Sequence, residues 1–158
     1  MTIAAAAPAW LVGILFLLLA LAAVEDGWRL RISNLIVLGV AATGVAAMAL
    51  ASIGWGAWQP LLLAVAILVV GTPLFAAGWL GGGDVKLLAA SGTWFMLDGG
   101  WKMLAAVAVI GGLLTLVALA LRRLRRSESN IALFKRGIGV PYGIAISIGV
   151  AATIVAAR

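Results

Sequence analysis

The chain has 158 residues, 65% of them hydrophobic and 10% charged, and its mean hydropathy is +1.23. A soluble domain is about half apolar and a quarter charged, so a water-soluble globule is excluded. Cysteine and histidine are both absent. That removes disulfides, thiolate metal sites and the usual general base near neutral pH. Chemistry, if there is any, falls to a few carboxylates, a lysine, hydroxyls or the backbone.

Six apolar segments follow one another, at about Pro8 to Val24, Asn34 to Ile53, Trp58 to Leu80, Val85 to Leu97, Trp101 to Leu121 and Ile138 to Ala157. In lipid these segments have to be helices, because a lone strand would leave its backbone groups unpaired. The expected class is therefore all-α, a polytopic membrane protein with six transmembrane helices in a single domain spanning 1–158. Ala20-Leu21-Ala22 resembles a signal-peptide cleavage site, but no Lys or Arg precedes the first segment. The cations come after it, which is the polarity of a first span with its N-terminus outside.

Six spans define two sides. Arg29, Arg31, Lys86, Arg122, Arg123, Arg125, Arg126, Lys135 and Arg136 fall on one, and Lys102 and Arg158 on the other. The cation-rich side is expected to be cytoplasmic, with both termini outside. The fourth segment is short. A re-entrant fourth segment would swap the sides of everything after it and erase this bias, so a true span is the preferred reading. Trp10, Trp55, Trp58, Trp94 and Trp101 then mark outer ends, and Trp28 and Trp79 inner ends, as an interfacial belt. The net charge of +6 is concentrated between Arg122 and Arg136. Juxtamembrane cations set topology and attract anionic lipid at about 1 kcal/mol each. Anionic lipid is therefore the expected partner of Arg122, Arg123, Arg125 and Arg126, and no nucleic acid is expected.

The acids are Glu25, Asp26, Asp84, Asp98 and Glu128. Glu128 reads as a solvated loop charge, and Asp98 as part of an outer turn with Gly99 and Gly100. Asp26 and Asp84 lie against apolar sequence at the same face. A carboxylate in a bilayer costs about 2.5–3.5 kcal/mol at the centre, so an intramembrane acid is a functional candidate by default. The plainer alternative pairs each with Arg29, Arg31 or Lys86. Gly81-Gly82-Gly83 directly before Asp84 shifts the balance towards a site, since glycines permit positive φ and close backbone approach.

These residues resemble the type IV prepilin peptidases, membrane aspartic proteases of the GxGD class. Gly81-Gly82-Gly83-Asp84 fits the GxGD pattern and Val85-Lys86-Leu87 its continuation. Asp26-Gly27-Trp28-Arg29-Leu30-Arg31-Ile32-Ser33-Asn34 resembles the family's D-x-x-x-x-x-I-P-N stretch, with Ser33 where Pro is usual. Pro141-Tyr142-Gly143 is similar to its Pro-aromatic-Gly at the last helix. The resemblance implies Asp26 and Asp84 as the catalytic pair, with Gly81, Gly82, Gly83 and Lys86 near the substrate. For Lys86, snorkelling to the interface is the competing role. It also implies a prepilin or pseudopilin precursor as substrate, cut at the cytoplasmic face of a bacterial inner membrane without metal or cofactor. The longer members' cysteine-bearing domain, linked to N-methylation, has no counterpart in the sequence. The compact form serving Flp (tight-adherence) pili is the nearer likeness, and methyltransferase activity is not expected.

Two carboxyls close together in low dielectric cannot both ionise, and the pair holds one proton. Such a pair activates water without a metal. Three rival readings are a proton- or ion-coupled transport subunit, a CDP-alcohol phosphotransferase, and a non-enzymatic pilus or secretion subunit. The first needs acids at mid-membrane in several spans. The second needs further aspartates shortly after Asp26, and none occurs before Asp84.

Overall fold

The computed structural model describes residues 2–124 and 141–157, the side chains of 122–124 excepted. Six α-helices occur among these residues: α1 (Ala9–Arg29), α2 (Asn34–Leu50), α3 (Trp58–Ala76), α4 (Gly82–Gly92), α5 (Leu97–Leu124) and α6 (Tyr142–Ala156). The all-α expectation holds. Three stretches, Ala9–Arg29, Gly54–Ala76 and Leu97–Leu121, are long and apolar enough to cross a membrane, and α2 and α6 are shorter apolar helices. The Arg125 to Arg136 cations and Glu128 lie outside the described residues, as do the side chains of Arg122 and Arg123.

Helix ends move from the expected positions where polar groups can satisfy the backbone. The first helix runs a turn further than hydropathy suggests, to Arg29, and therefore carries Glu25 and Asp26. It stops at Leu30, whose φ of 51° is left-handed and whose N–H returns to the Asp26 carbonyl at 2.9 Å. The fourth helix begins at Gly82, three residues early, because the Asp84 carboxylate accepts the Gly81 N–H at 3.2 Å and caps it. Asp98 and its two glycines lie in the first turn of α5 instead of forming a separate turn.

With 11 residues, α4 is about 16 Å long, and it lies at the centre of the bundle, packed on α2, α3 and α6. Val85, Leu87, Ala89, Ala90, Ser91 and Gly92 are buried. Trp94 and Phe95 continue this core beyond the helix, both fully buried. The interfacial role expected for Trp94 is therefore corrected: its indole N–H donates to the Val40 carbonyl at 3.3 Å inside the protein. The other tryptophans, including Trp28, Trp55, Trp79 and Trp101, are exposed. The N-terminal strip closes the end of α4 that lacks length. Ile3 N–H donates to the Trp94 carbonyl at 2.9 Å, Thr2 bridges Phe95, and Ile3 and Ala4 are buried.

Candidate active site

The C-terminal end of α1 and the N-terminal ends of α2, α4 and α6 meet at one end of the molecule, and this gathers the candidate residues. Asp26 projects from the last turn of α1 and is 4% exposed. Its Oδ2 accepts the backbone N–H of Gly143 at 2.7 Å. The second position of a helix has an amide without an intrahelical partner, so the first turn of α6 offers a donor that a buried carboxylate needs. Gly143 makes the approach possible: a Cβ there would lie 2.8–2.9 Å from Asp26 Oδ2, Cβ and Cγ.

Asp84 enters from the first turn of α4. Its carboxyl is close enough to Asp26 for the two to interact electrostatically. The structure thus brings together the two acids that lie far apart in the sequence. It also shows what the glycines before Asp84 do. Positive φ is confined to Gly54 and Gly78 among the described glycines, so Gly81–Gly83 are not there for a left-handed turn. They are there for contact. A Cβ on Gly83 would press on Ile32, 3.2 Å from its Cβ and 3.3 Å from its backbone N, and one on Gly82 would press on the Phe75 ring at 3.2 Å.

An apolar cavity of about 180 Å³ opens beside Asp84. Val85, Leu88, Leu104, Val107 and Tyr142 are among the residues lining it. The Tyr142 hydroxyl lies 3.5 Å from Thr115 Oγ1, which ties this wall of the cavity to α5.

Lys86 is exposed, and its Nζ donates to Asn34 Oδ1 at 3.2 Å. The ammonium thereby links the start of α4 to the start of α2. Glu25 does not turn towards Asp84. Its Oε2 accepts the Ser33 N–H at 2.8 Å, while Ser33 Oγ accepts the Leu35 N–H at 3.2 Å as the N-cap of α2. Sequence reasoning did not find the Gly143 amide, because a backbone donor carries no side-chain signature. The pairing of Glu25 with Ser33 was equally hidden, although Ser before Asn at a helix start is an N-cap signal. Asp98 stands at the opposite end of the bundle, at the start of α5. Among the described residues no three His, Cys, Asp or Glu side chains converge to hold a metal ion.

No curated protein and no solved structure matches the chain. A family model does, over residues 13–120, which include Asp26, Gly81–Asp84 and Lys86 but not Gly143. That match spans more than half of the sequence and both acidic motifs, and on it the chain belongs to the type IV leader peptidase family.

Proposed function

We propose that the protein is an aspartic endopeptidase that removes the leader of prepilins or pseudopilins at the cytoplasmic face of the bacterial inner membrane. The observation that carries this reading is the convergence of Asp26 and Asp84 from two helix ends, the first buried and the second lining an apolar cavity. Neighbouring carboxyls at such a site share one proton. The ionised member takes a proton from water as the hydroxyl oxygen bonds to the scissile carbonyl carbon. The protonated member hydrogen-bonds the carbonyl oxygen, then transfers its proton to the leaving amine as the C–N bond breaks. The pair acts as a coupled unit. The cavity beside Asp84 gives an apolar substrate side chain a place next to the reacting bond.

Gly81, Gly82, Gly83 and Lys86 border the same end and would face the extended precursor. The cation cluster from Arg122 onward would hold that end to anionic lipid. Hydrolysis by this route uses water and two carboxyls and involves no methyl transfer. A transport subunit is the poorer reading, since a relay needs a series of acids across the membrane, and the two that meet here are at one end. The test is co-expression with a pilin precursor from the same genome, read by intact mass. Loss of the leader mass with the wild type, and its retention with Asp26→Asn, supports the reading. An uncut precursor with the wild type, or cleavage by both Asp26→Asn and Asp84→Asn, overturns it.

A further inference from the structure

We propose that Glu25 is a positioning residue for the acid pair, acting through the loop Leu30 to Ser33. The proposal rests on the peptidase reading for its effect on rate, but its structural content can be tested without substrate.

The loop joins the helix that carries Asp26 to α2, and one of its residues touches the turn that carries Asp84. Ile32 packs against the core, and its Cβ and backbone N lie 3.2 and 3.3 Å from where a Cβ on Gly83 would stand. Gly83 and Asp84 are adjacent, so a shift of Ile32 moves Asp84 relative to Asp26. Two polar bonds hold the far end of this short loop. One is the N-cap by Ser33 Oγ, and the other is the 2.8 Å bond from Ser33 N–H to Glu25 Oε2. Glu25 is half-buried and immediately precedes Asp26 on α1. Its carboxylate therefore references the loop to the same helix turn that sets Asp26. Hydrogen bonds to a carboxylate are among the stronger ones a short loop can make, and this one fixes the end of a four-residue loop.

The backbone at Ser33 supplies an independent check. Its φ of −62° and ψ of 134° fit proline, which locks φ near −65° and has no N–H. Proline at 33 could fix the loop covalently, but its ring would occupy the space from which Glu25 accepts the amide. Glu25 and a proline at 33 are thus mutually exclusive ways of fixing the same loop, which predicts a sign change in a double mutant.

The experiment uses purified full-length protein in detergent and two readouts. By hydrogen exchange, Glu25→Ala should speed exchange in the segment 30–35 and in the segment 81–85. Glu25→Gln, whose amide oxygen can still accept the Ser33 N–H, should leave both protected. The double variant Glu25→Ala with Ser33→Pro should restore protection of 81–85. By cleavage of a pilin precursor, Glu25→Ala should lower kcat roughly ten- to hundredfold with KM little changed. Ser33→Pro alone should also be slow, Glu25→Gln near wild type, and the double variant faster than either slow single variant. Unchanged exchange in both segments for Glu25→Ala overturns the proposal whatever the substrate does, as does an additive double mutant. Persistent cleavage by Asp26→Asn and Asp84→Asn would instead remove the peptidase reading and leave the exchange result standing.

Discussion

At the residue scale, Asp26 and Asp84 differ in how they are held. Asp26 is buried and takes its hydrogen bond from another helix, at Gly143, while Asp84 takes one from its own turn, at Gly81. Asp26→Asn and Asp84→Asn should each abolish precursor cleavage while the protein inserts at near-normal levels, because Asn keeps the shape but cannot exchange the proton. Immunoblots of membranes alongside the intact-mass assay separate loss of activity from loss of protein. Asp98→Asn, at the opposite end of the bundle, should cleave normally. Gly143→Ala is a sharper test of the local geometry. Its methyl would overlap Asp26 at 2.8–2.9 Å, and a displacement of about an ångström costs roughly a hundredfold in rate. A wild-type rate for this variant would mean that the Gly143 amide does not position Asp26. The two acids were legible in the sequence, because a carboxylate among apolar residues is expensive and rare. Their holding bonds were not, since one donor is a backbone amide 117 residues away.

At the element scale, hydropathy located the six α-helices of the described residues but misjudged their ends. It marks where a segment becomes apolar, whereas a helix ends where its last backbone groups find partners. Asp84 caps α4 three residues before the apolar run begins, and Leu30 closes α1 after two acids and a cation. Trp94 shows the same limit from another side. A tryptophan near a segment end reads as interfacial, yet the shortness of α4 leaves a gap that Trp94, Phe95 and the strip from Thr2 to Ala4 fill. The contact between α2 and the end of α4 is correspondingly tight. Any Cβ on Gly44 would overlap Thr93 Oγ1 and come within 2.8 Å of Thr93 Cβ. Small residues at such contacts allow helices in membranes to approach closely. Gly44→Ala should therefore lower the thermal midpoint in detergent, with an overpacking cost of about 1–3 kcal/mol. Gly13→Ala, which meets nothing within 4 Å, is the matched control. Equal midpoints for the two variants would contradict the packing at Thr93.

At the scale of the whole molecule, the fold makes the end that holds the acids the cation-rich end as well. Arg29 ends α1, Arg31 follows it, and Lys86 stands in the first turns of α4, all beside Asp26 and Asp84. Lys102 lies near the start of α5, at the other end. The long α5 then returns to the acid end, where Gly111 and Thr115 meet Tyr142, and delivers the chain to the Arg122–Arg136 stretch. Orientation follows from charge, because Lys and Arg flanking membrane helices are retained in the cytoplasm. The segment from Arg122 to Arg136 should accordingly be cytoplasmic, with both termini outside. Reporter fusions after Arg126 should be active with a cytoplasmic reporter and silent with one that matures only in the periplasm, and fusions after Gly54 should show the reverse. The parity depends on α4. At about 16 Å it spans the core only if the ends of the bundle are drawn in, with Gly81–Gly83 below the surface on one side and the Thr2 to Ala4 strip against Trp94 and Phe95 on the other. If α4 instead entered and left on one face, everything after it would change sides and the Arg126 fusion would mature outside. The acid pair precedes that change and would keep its side, but Arg122 to Arg136 would lie opposite it and the acid end would lose most of its cations. One fusion result therefore decides both how α4 sits in the bilayer and whether the Arg122 to Arg136 stretch shares the face of the acid pair.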